Sequence, residues 1–133
     1  MSMTPSDYAL EIHSTAQLKG WYDTPREDGT FLMLMVSELS EALEEFRNNK
    51  PDLYLVHKET KKVFTLDDIS MEKMFEFAST GEYKPEGASV EVVDCIVRAM
   101  DYFAYKGWNL NNVLDLKLSY NNKREYRHGN KAF

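Results

Sequence analysis

The chain has 133 residues, of which 43% are apolar, and this length supports one compact domain rather than two independent cores. Its 22 Asp and Glu against 16 Lys and Arg argue against a nucleic-acid partner bound through a basic face. A single cysteine excludes an intrachain disulfide and any multi-cysteine zinc site. The longest apolar run, residues 31–36, is too short to span a membrane, and no signal peptide is visible. We therefore expect a cytoplasmic protein without a membrane partner.

Four segments have the apolar periodicity of helices. They cover about residues 6–21, 30–49, 89–106 and 109–126, and the second is the clearest because its apolar residues recur at steps of three and four. Asn109 is the expected N-cap of the last helix. Because the stripes of the second and third helices both need burial, we expect these helices to pack against each other.

The region between the second and third helices has a different pattern. Two apolar runs, 53–56 and 63–66, flank a polar stretch and predict a short β-hairpin. Residues 68–78 can form one short extra helix, and the Lys-Pro-Glu-Gly sequence at 84–87 predicts a turn. The expected fold is an all-α helical bundle of about four main helices, a single domain over 1–133 with a small hairpin insertion at about 52–83.

Two acidic pairs stand out on the predicted helices. Glu38 and Glu41 are three residues apart on the second helix, and Glu91 and Asp94 repeat this spacing on the third, so each pair shares one helix face. Either pair alone is common on a solvated helix. Together they border two apolar stripes, and antiparallel packing would bring four carboxylates to one edge. Such a cluster is costly without a counterion, and oxygen ligands without His or Cys suit Mg²⁺, with Mn²⁺ as a substitute.

The order of these motifs resembles the ExxE…ExxD signature of the all-α NTP pyrophosphohydrolases, the MazG-like nucleotide pyrophosphohydrolases. The sequence Lys-Pro-Glu-Gly at 84–87 resembles a turn that recurs before the family's second metal helix. A tail that contains Lys117, Asn121, Arg124 and His128-Gly129 is similar to the family's end segment. One difference is the length of the stretch between Glu41 and Glu91, which exceeds what the family usually has there and coincides with the proposed insertion.

The resemblance implies Mg²⁺-dependent hydrolysis of a nucleoside triphosphate, a deoxynucleotide or a modified one, to the monophosphate and pyrophosphate. The metal ligands would be the four acidic residues, and Glu41 would be the catalytic residue that takes a proton from the attacking water. Lys117 and Arg124 would neutralise phosphate charge, and Asn121 would bind sugar or phosphate. An ordinary solvated fourth helix is the alternative for these three. Arg98 can contact phosphate or pair with a nearby aspartate.

Three residues on the first helix are candidates for binding the base. His13, Gln17 and Trp21 are spaced four apart and therefore share a face that offers stacking and hydrogen bonds. Similarity to pyrimidine-nucleotide pyrophosphatases of the same superfamily, which have His and Trp near the first helix, favours this role. The alternative is packing for Trp21 and a surface position for His13.

Two other functions remain open at this point. One is phosphoribosyl-ATP pyrophosphohydrolase activity within the same superfamily, and the other is a non-catalytic helical interaction module with solvated acidic faces. Members of the family are dimers or tetramers, and short helices bury their stripes poorly alone. We therefore expect a homodimer or homotetramer.

Overall fold

The computed structural model describes residues 2–126 and residue 132, and these residues form helices and three short strands. The helices are α1 (Pro5–Leu18), α2 (Asp28–Arg47), α3 (Met71–Ser79), α4 (Ala88–Lys106) and α5 (Leu110–Asn121), and the strands are β1 (Tyr54–His57), β2 (Val63–Thr65) and β3 (Tyr83–Glu86). The expectation of a mostly helical chain is confirmed. The chain is not purely all-α, and the arrangement of its helices as a bundle stays a prediction. His128 and Gly129 of the similar tail lie outside the described residues.

Local hydrogen bonds explain where the predicted helices begin. Thr4 caps α1 by accepting a bond from the backbone N–H of Asp7, whose carboxylate in turn accepts from the backbone N–H of Thr4. The expected N-cap of the last helix is confirmed, because the side chain of Asn109 accepts from the backbone N–H of Asn112. The short extra helix is also present as α3, and it begins after the cap Ser70.

The predicted hairpin is confirmed, but it belongs to a larger sheet. Strand β1 pairs antiparallel with β2, with Tyr54 opposite Thr65, and it pairs on its other side with β3, with Tyr54 opposite Glu86. The strand order is β2-β1-β3. The prediction of a simple turn at 84–87 was therefore wrong for residues 84–86. Proline is tolerated there because β3 is an edge strand.

The arrangement of strand β3 is stabilised by packing and by a close backbone approach. The Tyr83 ring stacks on Phe77 of α3 with centroids 5.0 Å apart. Gly87 follows the strand with φ +117°, and a Cβ there would lie only 2.3 Å from the carbonyl oxygen of Asp52. That oxygen accepts bonds from the backbone N–H and the hydroxyl of Ser89 at 3.1 and 2.7 Å. Glycine at this position therefore allows β3 to lead directly into α4.

The described residues fall into two compact units. One is Arg26–Ala99, and the other combines the residues up to Pro25 with those from Met100 onward. In the first unit the buried apolar residues come from α2, the sheet, α3 and the start of α4: Phe31, Ala42, Tyr54, Leu55, Met74 and Ala88. The prediction of a single domain over 1–133 stays a prediction.

The second unit joins α1 to α5 through polar contacts. The backbone N–H of Ser6 donates to the side chain of Asn111 at 3.0 Å, and the backbone N–H of Asn111 donates to the Ser6 hydroxyl at 2.9 Å. Ala9 and Tyr102 are its buried apolar residues. No helix among the described residues is long and apolar enough to cross a membrane.

The buried face of α2 differs from the expected one. Phe31, Glu38 and Ala42 are buried, whereas Leu39 and Leu43 of the predicted stripe remain about half exposed. The prediction that the stripes of α2 and α4 bury each other was therefore wrong for much of α2. The helix instead turns one of its carboxylates inward, because an arginine on α4 pairs with that carboxylate.

Candidate metal centre

The pairing between α2 and α4 positions the first functional carboxylate. Glu38 lies on the buried face of α2 and is only 7% exposed. The Nε of Arg98 donates to its Oε1 at 2.7 Å. Burial disfavours the Glu38 charge, but the hydrogen bonds that Glu38 accepts from Arg98 and from protonated Glu91 outweigh it and lower the pKa of Glu38. Glu38 is therefore an ionised carboxylate in a protected position.

Three of the four predicted metal ligands lie together. One carboxylate oxygen from each of Glu38, Glu91 and Asp94 lies within 4.8 Å of the other two, and we call these residues the carboxylate cluster. Glu91 is 8% exposed, and its Oε2 atom is buried without a hydrogen-bond partner among the described residues. A buried carboxylate oxygen without a donor is costly. Its presence here is explained if a proton or a cation occupies that position.

The protonation of Glu91 follows from its surroundings. Burial, hydrogen bonding to Glu41 and Glu38 and the charges of Glu41 and Asp94 raise its pKa to about 8. Ionised carboxylates can only accept hydrogen bonds. A hydrogen bond between two of them therefore exists only when one of the two carries a proton. Burial and the charge of Glu38 also raise the pKa of Asp94. Without a metal ion, the cluster therefore retains a proton near neutral pH.

Glu41, the fourth predicted ligand, occupies a different position. It is not one of the three residues whose oxygens converge, but its carboxyl group lies within hydrogen-bonding reach of Glu91. It also lines a cavity that Glu91 shares. Glu41 is therefore placed beside the carboxylate cluster rather than within it.

A second acidic group adjoins the carboxylate cluster and was not predicted as a site. Oxygens of Glu45, Glu86 and Glu91 also lie within 4.8 Å of one another. The hydroxyl of Tyr54 donates to both oxygens of Glu45, at 3.1 and 3.0 Å. Burial together with this carboxylate raises the pKa of Tyr54 to about 12. Sequence analysis missed Glu86 and Tyr54 because it placed the first in a turn and the second only in a hairpin.

The second acidic group lines a cavity of about 380 Å³, and Glu91 is the member of the carboxylate cluster that this lining includes. Five glutamates and two lysines line it together with an asparagine and a tyrosine: Glu41, Glu44, Glu45, Glu86, Glu91, Lys50, Lys84, Asn48 and Tyr54. Pockets for small ligands begin at about 300 Å³. The negative excess means that an anion would enter only with accompanying cations.

The donor set suits a hard divalent cation. The two groups in the described residues consist of carboxylates alone, with neither His nor Cys, and such ligands fit Mg²⁺ or Mn²⁺ rather than Zn²⁺. The Oε2 of Glu91, which has no hydrogen-bond partner among the described residues, can act as a metal ligand. Arg98 donates to Oε1 of Glu38, and a Glu38 oxygen lies within 4.8 Å of oxygens of Glu91 and Asp94. The residues present therefore fit a magnesium ion.

The three residues predicted to bind the base differ in their exposure to solvent. Nδ1 of His13 lies 2.8 Å from Oδ1 of Asp101, and the hydroxyl of Tyr22 donates to Oδ2 of the same aspartate at 2.6 Å. His13 is therefore part of a partly buried polar network rather than a surface residue. Gln17 is exposed on α1, whereas Trp21 is 58% exposed and lies in the turn beyond the end of α1. The prediction that these residues share one helix face was therefore wrong for Trp21. Sequence reasoning could not detect Asp101, which is distant from His13 along the chain.

Two of the predicted phosphate ligands, Lys117 on α5 and Arg124 beyond its end, lie over the same aromatic ring. The prediction that the last helix reaches residue 126 was wrong, because α5 ends at Asn121. Nζ of Lys117 lies 5.2 Å from the centre of the Tyr120 ring, and the guanidinium of Arg124 lies 5.3 Å from it. Asn121 is the last residue of α5 and is exposed. Arg98, the remaining candidate, is paired with Glu38 as described above.

No protein-family model, curated protein or solved structure matches this chain. The relationship to the MazG-like proteins therefore stays a resemblance of motifs.

Proposed function

We propose that this protein hydrolyses a nucleoside triphosphate to the monophosphate and pyrophosphate with the help of Mg²⁺. The observation that carries the proposal is the convergence of Glu38, Glu91 and Asp94, together with the unpartnered buried oxygen of Glu91. The motif order that resembles the all-α NTP pyrophosphohydrolases supports the same reaction. Deoxynucleoside and modified nucleoside triphosphates are the substrate classes we favour.

The side chains have separate roles in this proposal. Glu38, Glu91 and Asp94 would hold the ion, which when bound supplies charge neutralisation and lowers the pKa of water. Glu41 stands beside them and, because it is not one of the converging ligands, is free to accept the proton of the attacking water. Arg98 holds Glu38 in its buried rotamer through the 2.7 Å bond. We retain Mn²⁺ as a substitute metal.

The nucleotide's other contacts are proposed from the sequence. Trp21 offers an exposed ring for stacking in the turn after α1, and Gln17 offers an amide on α1. Lys117, Asn121 and Arg124 offer charge and hydrogen bonds for sugar or phosphate. His13 is held by Asp101, so its part would be to present a fixed ring.

The exposed apolar surface supports an oligomer. Six large apolar side chains of α2 are 48–63% exposed: Leu32, Met33, Val36, Leu39, Leu43 and Phe46. Val93 and Ile96 on α4 are about half exposed as well. Exposed apolar residues at this density mark an interaction surface. A second copy of the chain is the partner we propose, as a homodimer or homotetramer.

The test is an assay of canonical and modified nucleoside triphosphates with and without Mg²⁺. We expect pyrophosphate and monophosphate in equal amounts, and only with the metal. Diphosphate and orthophosphate as products would contradict the proposal. Exclusive turnover of phosphoribosyl-ATP would assign the alternative within the same superfamily. An absence of any turnover, together with no effect of Mg²⁺ on the thermal midpoint, would favour a non-catalytic interaction module.

A further inference from the structure

The three-stranded sheet is connected to the helices of the carboxylate cluster at two points. Tyr54 of β1 donates its hydroxyl to Glu45 of α2. Strand β3 runs into α4 through Gly87, where the close approach of Asp52 leaves no room for a Cβ. Side chains on β3 are therefore fixed relative to Glu91, which lies one turn into α4. The insertion forms part of the cavity wall.

Lys84 is the cation that β3 brings to this wall. Its Nζ lies 3.0 Å from Oε1 of Glu86, and its side chain is 67% exposed while lining the cavity with Glu41 and Glu91. The bond to Glu86 and its charge, together with the charges of Glu91 and Asp94, raise the pKa of Lys84. The ammonium is thus permanently charged beside the carboxylate cluster, and its exposed position makes it accessible to a ligand.

The charges of the cavity indicate which ligand this lysine would meet. Five glutamates against two lysines repel an anion until divalent cations are bound. A metal-bound polyphosphate brings those cations with it, and it still has phosphate oxygens that are not bound to the metal and can accept a hydrogen bond from the lysine. An exposed ammonium can exchange its surface bond to Glu86 for such an oxygen at small cost, because exposed ion pairs contribute little to stability.

We propose that Lys84 binds the triphosphate chain of the substrate beside the carboxylate cluster, which makes the three-stranded sheet part of the substrate site. This assignment rests on the proposed function. It adds a phosphate ligand from β3 to those proposed from the sequence. It also gives the sheet that holds β3 a role in binding.

The test compares Lys84→Met with Lys84→Arg and with Lys62→Met. Methionine keeps the chain length without the charge, and arginine retains the charge. Lys62 is a matched control because it directly precedes β2 of the same sheet, with its ammonium over the Phe64 ring and outside the cavity lining. We would measure kcat and KM for a nucleoside triphosphate, and the calorimetric affinity for inorganic triphosphate in the presence of Mg²⁺. Thermal midpoints without ligand would report folding.

We expect Lys84→Met to weaken triphosphate binding and raise KM by about tenfold or more, the size of a lost charged hydrogen bond. Lys84→Arg should retain most of the affinity, and Lys62→Met should resemble wild type. If the wild type is active and Lys84→Met binds inorganic triphosphate as tightly, the assignment of Lys84 is wrong and the proposed function stands. If nucleotides are not hydrolysed but Lys84→Met still loses triphosphate binding, the lysine's role stands and the reaction fails. A wild type that neither binds nor hydrolyses would overturn both.

Discussion

The titration of Glu91 gives a prediction that needs no substrate. Glu91→Gln replaces the protonated form of this side chain with a neutral amide that can still donate to Glu41 or Glu38. The pKa of Glu91 is about 8 in the folded protein against 4.5 for an ordinary glutamate. The folded state therefore binds more protons than the unfolded state between these values, so the free energy of unfolding falls as pH rises from about 4.5 to 8.

The magnitude follows from the size of the shift. A tenfold change in a protonation equilibrium is worth about 1.4 kcal/mol, so the full difference sets an upper limit of about 5 kcal/mol. We expect about 2–4 kcal/mol, because the protons are shared among interacting carboxylates. The raised pKa of Asp94 acts in the same direction. The lowered pKa of Glu38 acts only below about pH 4.5, where its stabilisation is lost on acidification.

The assay is urea denaturation between pH 5 and 9 with a chelator present. The wild type should lose stability across this range, and Glu91→Gln should lose much less and be the more stable protein at pH 9. Glu59→Gln, on the exposed hairpin turn, is the matched control and should follow the wild type. Identical slopes for the wild type and Glu91→Gln, or a wild type that becomes more stable toward pH 8, would refute the reasoning about the carboxylate cluster.

Three further predictions concern metal, base and partner. Mg²⁺ should raise the thermal midpoint of the wild type, and Asp94→Asn should reduce this gain without destabilising the metal-free protein, whereas Glu41→Gln should retain most of it. An equal gain in the wild type and Asp94→Asn would place the metal elsewhere. Trp21→Ala should lower kcat/KM by a factor that corresponds to about 1–3 kcal/mol if the indole stacks on the base. An unchanged kcat/KM in a folded variant would show that Trp21 does not bind the base. Leu43→Lys should shift an oligomer toward monomers in light scattering, and a monomeric wild type would contradict the proposed interface.

Much of the fold could be predicted from local signals in the sequence. The periodicity of α2 and α4, the Asn109 cap and the apolar runs of the hairpin predicted elements that the structure contains. The third strand was missed because Pro85 and Gly87 are typical of turns, and the pairing of β3 with β1 depends on contacts distant in sequence. A strand supported by Tyr83 packing on Phe77 has no local signature.

The candidate site could be predicted only in part, because it too depends on contacts between residues that are distant in sequence. The i, i+3 spacing put Glu91 and Asp94 on one face, and the structure places both with Glu38. Glu41 lies beside them and does not converge with them. This difference depends on side-chain rotamers, which the spacing of residues along the helix does not specify. The arginine that turns Glu38 inward lies on another helix. The role of Glu86 and Lys84 depends on a strand that was not predicted.

The apolar pattern of α2 shows a further limit of sequence reasoning. Periodicity identified Leu39 and Leu43 as members of an apolar stripe but could not say what covers them. In the described chain they are about half exposed, while Glu38 on the neighbouring face is buried. A stripe buried by a second copy has the same sequence pattern as one buried within the chain.

The most direct measurement of the central claim is hydrolysis in ¹⁸O-labelled water. If Glu41 and the carboxylate cluster direct water to the α-phosphorus, the new bond forms there and the bridging oxygen leaves with pyrophosphate. Mass spectrometry of the products formed with Mg²⁺ should then find one labelled oxygen in the monophosphate and none in the pyrophosphate. Label in pyrophosphate or orthophosphate, or equal turnover with a chelator in place of Mg²⁺, would contradict the proposed reaction.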